Sequence, residues 1–167
     1  WRYEGGIYRK KQDPKNPLGY HLLFAPDVCQ GPDGRYYLYY AFDFLGIMSV
    51  AVCDTPAGEY KFLGHIHYAD GTLWGRRRGD QLPFDPGVLA DDDGRVWLYS
   101  GFYNAVPAIL TGGHKLRCDG GTVLELEKDM VTIKTEPRVI FPKKGPGAFQ
   151  GHEFFEASSI RKEGKTY

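Results

Sequence analysis

Phe84-Asp-Pro-Gly-Val-Leu-Ala-Asp-Asp-Asp-Gly-Arg-Val-Trp-Leu-Tyr-Ser100 decides the fold, because the chain has already said nearly the same thing once. The earlier copy is Phe24-Ala-Pro-Asp-Val-Cys-Gln-Gly-Pro-Asp-Gly-Arg-Tyr-Tyr-Leu-Tyr-Tyr40. Both run aromatic, x, Pro, x, Val, then Asp-Gly-Arg, then a run of aromatic and aliphatic residues. A third copy, Phe155-Glu-Ala-Ser-Ser-Ile-Arg-Lys-Glu-Gly-Lys-Thr-Tyr167, aligns with a gap of one residue. Internal repetition at this spacing signals a propeller or another repeat architecture. Each copy reads as a hairpin. Asp33-Gly34, Asp93-Gly94 and Glu163-Gly164 supply turns in which glycine accepts a positive φ.

Working outward, Ile47–Cys53 and Tyr60–Ile66 read as third and fourth strands after the first hairpin, with Asp54-Thr-Pro-Ala-Gly58 as the turn between them. Four strands of this length make one propeller blade. In the second unit the expected strands are Gly87–Ala90, Val96–Gly101, Ala105–Leu110 and Thr122–Leu126, with Arg138–Phe141 as a closing edge. Trp1–Lys10 reads as the last strand of an earlier blade. No stretch keeps a helical period of 3.6 over three turns. The expected fold is therefore all-β, a partial piece of a five-bladed β-propeller holding about two full blades and parts of two others. Residues 1–19 end an earlier blade and link onward, 20–70 and 80–142 are blades, and 150–167 start the next.

Composition excludes several classes. Lys+Arg and Asp+Glu both total 21, so there is no net charge to favour nucleic acid or a membrane surface. No apolar run is long enough for a transmembrane helix. Aromatic residues make up 15% of the chain, which suits β cores and also suits stacking on sugar rings. Cys29, Cys53 and Cys118 are odd in number and widely spaced, arguing against a disulfide framework and a zinc site. The start, Trp-Arg-Tyr-Glu-Gly-Gly, lacks an initiator Met and is no signal peptide, as expected of an internal fragment. It leaves the compartment open, with a lean to the cytoplasm over secretion.

First strands of blades line the axis, so equivalent positions on them converge. The position after the anchor aromatic holds Ala25, Asp85 and Glu156. An inward carboxylate on an axial strand is costly unless it is paired or faces a wet pocket. Two of them together favour one bound proton, which is the requirement for a general acid.

These motifs, Phe24-Ala-Pro-Asp27, Phe84-Asp-Pro-Gly-Val-Leu-Ala-Asp-Asp-Asp-Gly94 and Phe154-Phe-Glu-Ala-Ser158, resemble consecutive blade motifs of glycoside hydrolase family 43 along nearly the whole chain. The resemblance implies inverting hydrolysis of xylose- or arabinose-containing plant polysaccharide fragments. It makes Glu156 the general acid and Asp85 the residue that orients it and sets its pKa. The family's general base, an Asp on the first blade, falls upstream of Trp1. Asp13-Pro14 imitates its motif but sits in a Lys/Asn/Pro-rich loop after a closing strand, so it is set aside. Without a base the fragment alone is expected to be inactive. Alternatives are a noncatalytic sugar-binding propeller, or another five-bladed glycosidase or phosphorylase.

Weaker candidates for substrate contact are Phe24, Asp27 and Phe102; Phe24 and Phe102 have competing readings as core and as ordinary loop, and Asp27 as a tie between blades. No cofactor is expected. A complete propeller has room for a structural calcium, but no ligands for one are identifiable in this piece. The expected partners are an oligosaccharide or polysaccharide and the remaining blades. His152-Glu-Phe-Phe-Glu156 lacks the second His and the helix of a zinc protease. Asp91-Asp-Asp-Gly94 is better read as a hairpin turn than as a calcium loop. Gly145-Pro-Gly147 and Gly112-Gly113 open no helix and so make no phosphate cradle.

Overall fold

A computed structural model describes residues 2–167. The repeated Asp-Gly-Arg builds the same turn twice. Gly34 and Gly94 adopt φ of +83° and +79°. In each turn the Asp carboxylate accepts the following Arg amide (Arg35 N to Asp33 Oδ1, 3.1 Å; Arg95 N to Asp93 Oδ1, 3.0 Å). Each Arg also donates from Nε to that Asp at 2.7 Å. The guanidinium then lies over the next aromatic, Tyr37 in one copy and Trp97 in the other. One local sequence thus closes two hairpins with one set of bonds.

Around these hairpins stand two four-stranded antiparallel sheets. The first is β1 (Leu23–Gln30), β2 (Tyr36–Phe42), β3 (Met48–Cys53) and β4 (Lys61–His65), paired in chain order. The second is β5 (Gly87–Ala90), β6 (Val96–Ser100), β7 (Gly120–Leu126) and β8 (Arg138–Pro142), also in chain order. The regular helix among the described residues is a single 3-10 turn at Lys10–Gln12, and no helix is long and apolar enough to cross a membrane.

Alternation sends Tyr37 and Tyr39 of β2 to one face and Leu38, Tyr40 and Phe42 to the other. Both faces are buried. The first packs, with Met48 and Val50, onto Val88, Val96, Leu98, Leu124 and Leu126 of the second sheet. Tyr39 resolves its polar end by donating to the Met130 carbonyl at 2.8 Å. The second face is covered by Tyr60 and the N-terminal Ile7 and Tyr8. Leu98 is completely buried at the centre of the inter-sheet core. Leu98→Ala is expected to cost about 3 kcal/mol through lost burial and a residual cavity, read as a lowered urea midpoint with unchanged m. A change below about 0.5 kcal/mol, the scale of a surface substitution, would place the core elsewhere.

Three expectations need correction. Residues 2–9 form no regular strand; Ile7 lies beside Tyr60, whose amide donates to Ile7 O at 2.8 Å, and Trp1 lies outside the described residues. Ala105–Leu110 is not a strand. Pro107 lacks a ladder donor, and the segment curls into successive turns (Leu110 N to Pro107 O, 2.9 Å) that end on Gly112 and Gly113 at positive φ. The fourth strand of this blade is instead β8, the segment expected as a closing edge. Finally, the third copy forms no regular first strand. Its hairpin is reduced to one bridge, Glu163 with Thr166. Side chains hold it: Tyr167 Oη donates to Asp91 Oδ2 at 2.6 Å, and Lys162 pairs with Asp91 and Asp92.

Candidate active site

At the start of β1 the chain bulges, and Ala25 takes φ of +41°. Asp85, at the matching place before β5, takes φ of +50°. Each precedes a proline, and neither is a glycine, so both positions hold backbone strain that the packing must sustain. In the third copy the residue at positive φ is Ala157 (+58°), not Glu156. Backbone conformation therefore shifts that repeat by one place relative to its sequence. No proline follows, and Ser158 sits hard against Gly87, where a Cβ would come within 2.8 Å of the Ser158 carbonyl oxygen. A side chain at position 87 would push the third segment away from the second.

This shift brings the Ala157 amide onto Asp85, donating to Oδ2 at 3.0 Å. Asp85 is only 4% exposed. Burial pushes its carboxyl up to about 6, the Ala157 bond opposes this, and the charge of neighbouring Glu156 adds to the rise. Glu156 itself is exposed. It lines a cleft of about 620 Å³ with Tyr99, Thr122, Phe141, Phe154 and Arg161. The two carboxyls thus have contrasting surroundings, one enclosed and one open to solvent.

A cluster of aromatic rings includes Phe84, the neighbour of Asp85 in the chain. Phe84 is buried, stacked on Phe44 at 5.2 Å and met edge-on by Phe102 at 5.1 Å. Phe24 leans on Phe84 at 5.8 Å and remains 37% exposed, so part of its ring is open to a ligand. Phe102 is nearly buried and touches Phe155 at 6.0 Å. The Tyr103 amide donates to Phe155 O at 2.8 Å, pinning the loop after β6 to the segment bearing Glu156. Phe44 had no distinguishing pattern in the sequence; it follows a second strand, where any loop residue would fit.

Asp27 does not present free oxygens. Its carboxylate accepts the Val88 amide and a fork from Arg161. Asp13, the imitation of a general base, is fully buried against the first sheet. It accepts from Tyr40 Oη at 2.8 Å and the Lys15 amide at 2.8 Å, with His65 Nε2 3.0 Å away. Burial pushes its pKa up, but these partners outweigh burial and hold it below the usual carboxylate range. It staples the N-terminal segment to the sheet. The three cysteines are free thiols. Among the described residues no three His, Cys, Asp or Glu side chains gather as a metal group, and none is assigned to a structural calcium.

The model of the family described as "Glycosyl hydrolases family 43" matches residues 1–167. A "Xylosidase/arabinosidase" of Thermoclostridium stercorarium is 53% identical over 171 residues, covering 100% of this chain and 34% of that protein. "Xylosidase/arabinosidase 43A" of Humicola insolens is 32% identical over 172 residues, covering 87% of this chain and 49% of that protein. Among solved structures, an α-L-arabinofuranosidase of Clostridium thermocellum superposes with a TM-score of 0.61 at 24% identity, over 96% of this chain and 44% of that one. The two sheets are thus blades of the five-bladed propeller, of which the chain covers part. The chain spans less than half the length of these three proteins.

Proposed function

Because this chain belongs to glycosyl hydrolases family 43, we propose that it is the part of a xylosidase or arabinosidase that carries the general acid, Glu156, and the carboxyl that tunes it, Asp85. The observation that carries this reading is the placement of Asp85. A buried carboxyl with its pKa at about 6 bonds the backbone next to an exposed Glu156. The division suits single displacement, in which an acid protonates the leaving oxygen and a base across the ring activates water, about 6.5–9.5 Å away. The base is not assigned to this chain, since Asp13 has its oxygens occupied by Tyr40, Lys15 and His65. The names of the relatives favour xylose- or arabinose-bearing chains as substrates.

The test uses a protein carrying the complete propeller around this chain, offered 4-nitrophenyl β-D-xyloside and α-L-arabinofuranoside. We expect hydrolysis of at least one, with the first-formed sugar anomer opposite to that of the substrate by proton NMR. The 167 residues alone are expected to hydrolyse neither. Retention of configuration would refute single displacement, and turnover by the isolated chain would refute an external base.

A further inference from the structure

We propose that Asp27 and Arg161 are positioning residues: one buried carboxylate holds, at once, the strand that follows Asp85 and the segment that carries Glu156. This rests on the roles given above to Asp85 and Glu156. Asp27, on β1, is 8% exposed. Its Oδ2 accepts the amide of Val88 at 2.8 Å, on β5 just beyond Asp85. Arg161 follows Glu156 on the third repeat and reaches past the second blade to the first. It donates from Nη2 to Oδ1 at 2.7 Å and from Nη1 to Oδ2 at 3.2 Å. A forked guanidinium–carboxylate contact fixes direction as well as distance, which a lysine would not do.

A second tie, the Ala157 amide on Asp85, completes a circuit. It runs from Asp27 through Val88 to Asp85, across to Ala157, and along the chain to Arg161 and back. Neither the Asp85 carboxyl nor the backbone beside Glu156 can shift without breaking one of these bonds. The circuit matters because little else locates Glu156. No regular strand pairs residues 154–162 with the neighbouring blade, and among the described residues the Glu156 side chain makes no hydrogen bond. Its position is inherited from backbone held at Phe155 by Tyr103 and at Ala157 by Asp85, and from the Arg161 side chain held by Asp27.

Lys162 provides a matched control. It makes an ion pair of the same kind from the next residue, but to Asp91 and Asp92 in the β5–β6 turn. In the complete propeller, Arg161→Met is expected to lower kcat roughly 30-fold, within the ~10²-fold that a misplacement of about 1 Å costs, with KM changed less than about threefold. Arg161→Lys should restore part of the loss. Lys162→Met should leave kcat within about twofold while lowering the melting temperature at least as much as Arg161→Met. Amide exchange at Ala157, which needs no turnover, should speed up about tenfold in Arg161→Met and stay unchanged in Lys162→Met. If kcat and Ala157 exchange are both unchanged in Arg161→Met, or if Lys162→Met lowers kcat equally, the positioning role is overturned. If the unaltered propeller hydrolyses no glycoside yet Ala157 exchange responds as stated, the clamp stands and the reaction assigned to its carboxyls fails.

Discussion

Glu156→Gln, made in the complete propeller, is expected to lower turnover of an alkyl or disaccharide substrate ~10³-fold, within the usual range for removing a general acid. Glutamine has the same shape but no acidic proton to give the leaving oxygen. Substrates whose leaving group is already a stable anion, such as a dinitrophenyl glycoside, need little protonation. For them the loss should shrink to roughly tenfold or less, because the acid contributes little to that transition state. The melting temperature should hold, since Glu156 is exposed and its side chain makes no hydrogen bond among the described residues. An equal loss for good and poor leaving groups would move Glu156 from proton donor to substrate binder. Undiminished turnover would remove it from the site.

Asp85→Asn is expected to trade activity for stability. An unfolded Asp releases its proton near 3.8, whereas the folded Asp85 holds it to about 6. Between those values the unfolded chain is ionised and the folded chain is not. Stability therefore falls as pH rises through that window and stays lower above it. The gap corresponds to at most about 3 kcal/mol. Asparagine keeps an acceptor for the Ala157 amide and carries no charge, so the variant should lose this pH dependence. Above pH 6 it should unfold at higher urea than the parent. On the role proposed for Asp85, turnover should nonetheless fall about 10²-fold. The measurements are urea midpoints at pH 4.5 and 7.5 beside kcat. A variant less stable than the parent at pH 7.5, with the parent's pH slope intact, would show that burial does not strain Asp85.

Legibility followed the range of the forces involved. The hairpins at 30–36 and 90–96 were readable because Asp-Gly-Arg makes its bonds within a few residues. Strands β2 to β6 were readable because alternation and turn residues bracket them. Ala105–Leu110 misled because its apolar residues suggested a strand while Pro107 and the paired glycines dictated turns. The third repeat misled by one residue. Sequence aligned Glu156 with Asp85, whereas the positive φ falls on Ala157. That choice depends on the missing proline, on Ser158 against Gly87, and on Asp85 waiting to accept the Ala157 amide. None of these is a local property of residues 155–158.

The sequence by itself determined that the chain is a run of propeller blades and that Asp85 and Glu156 lie near the starts of successive repeats of its sequence. Repetition and hairpin chemistry need only short-range contacts to be expressed. Tertiary structure alone decided which carboxyl is enclosed and which is open, and that Asp27 works as a junction and not as a free sugar contact. Burial, a raised pKa and a fork reaching from Arg161 to β1 exist only once three repeats pack together.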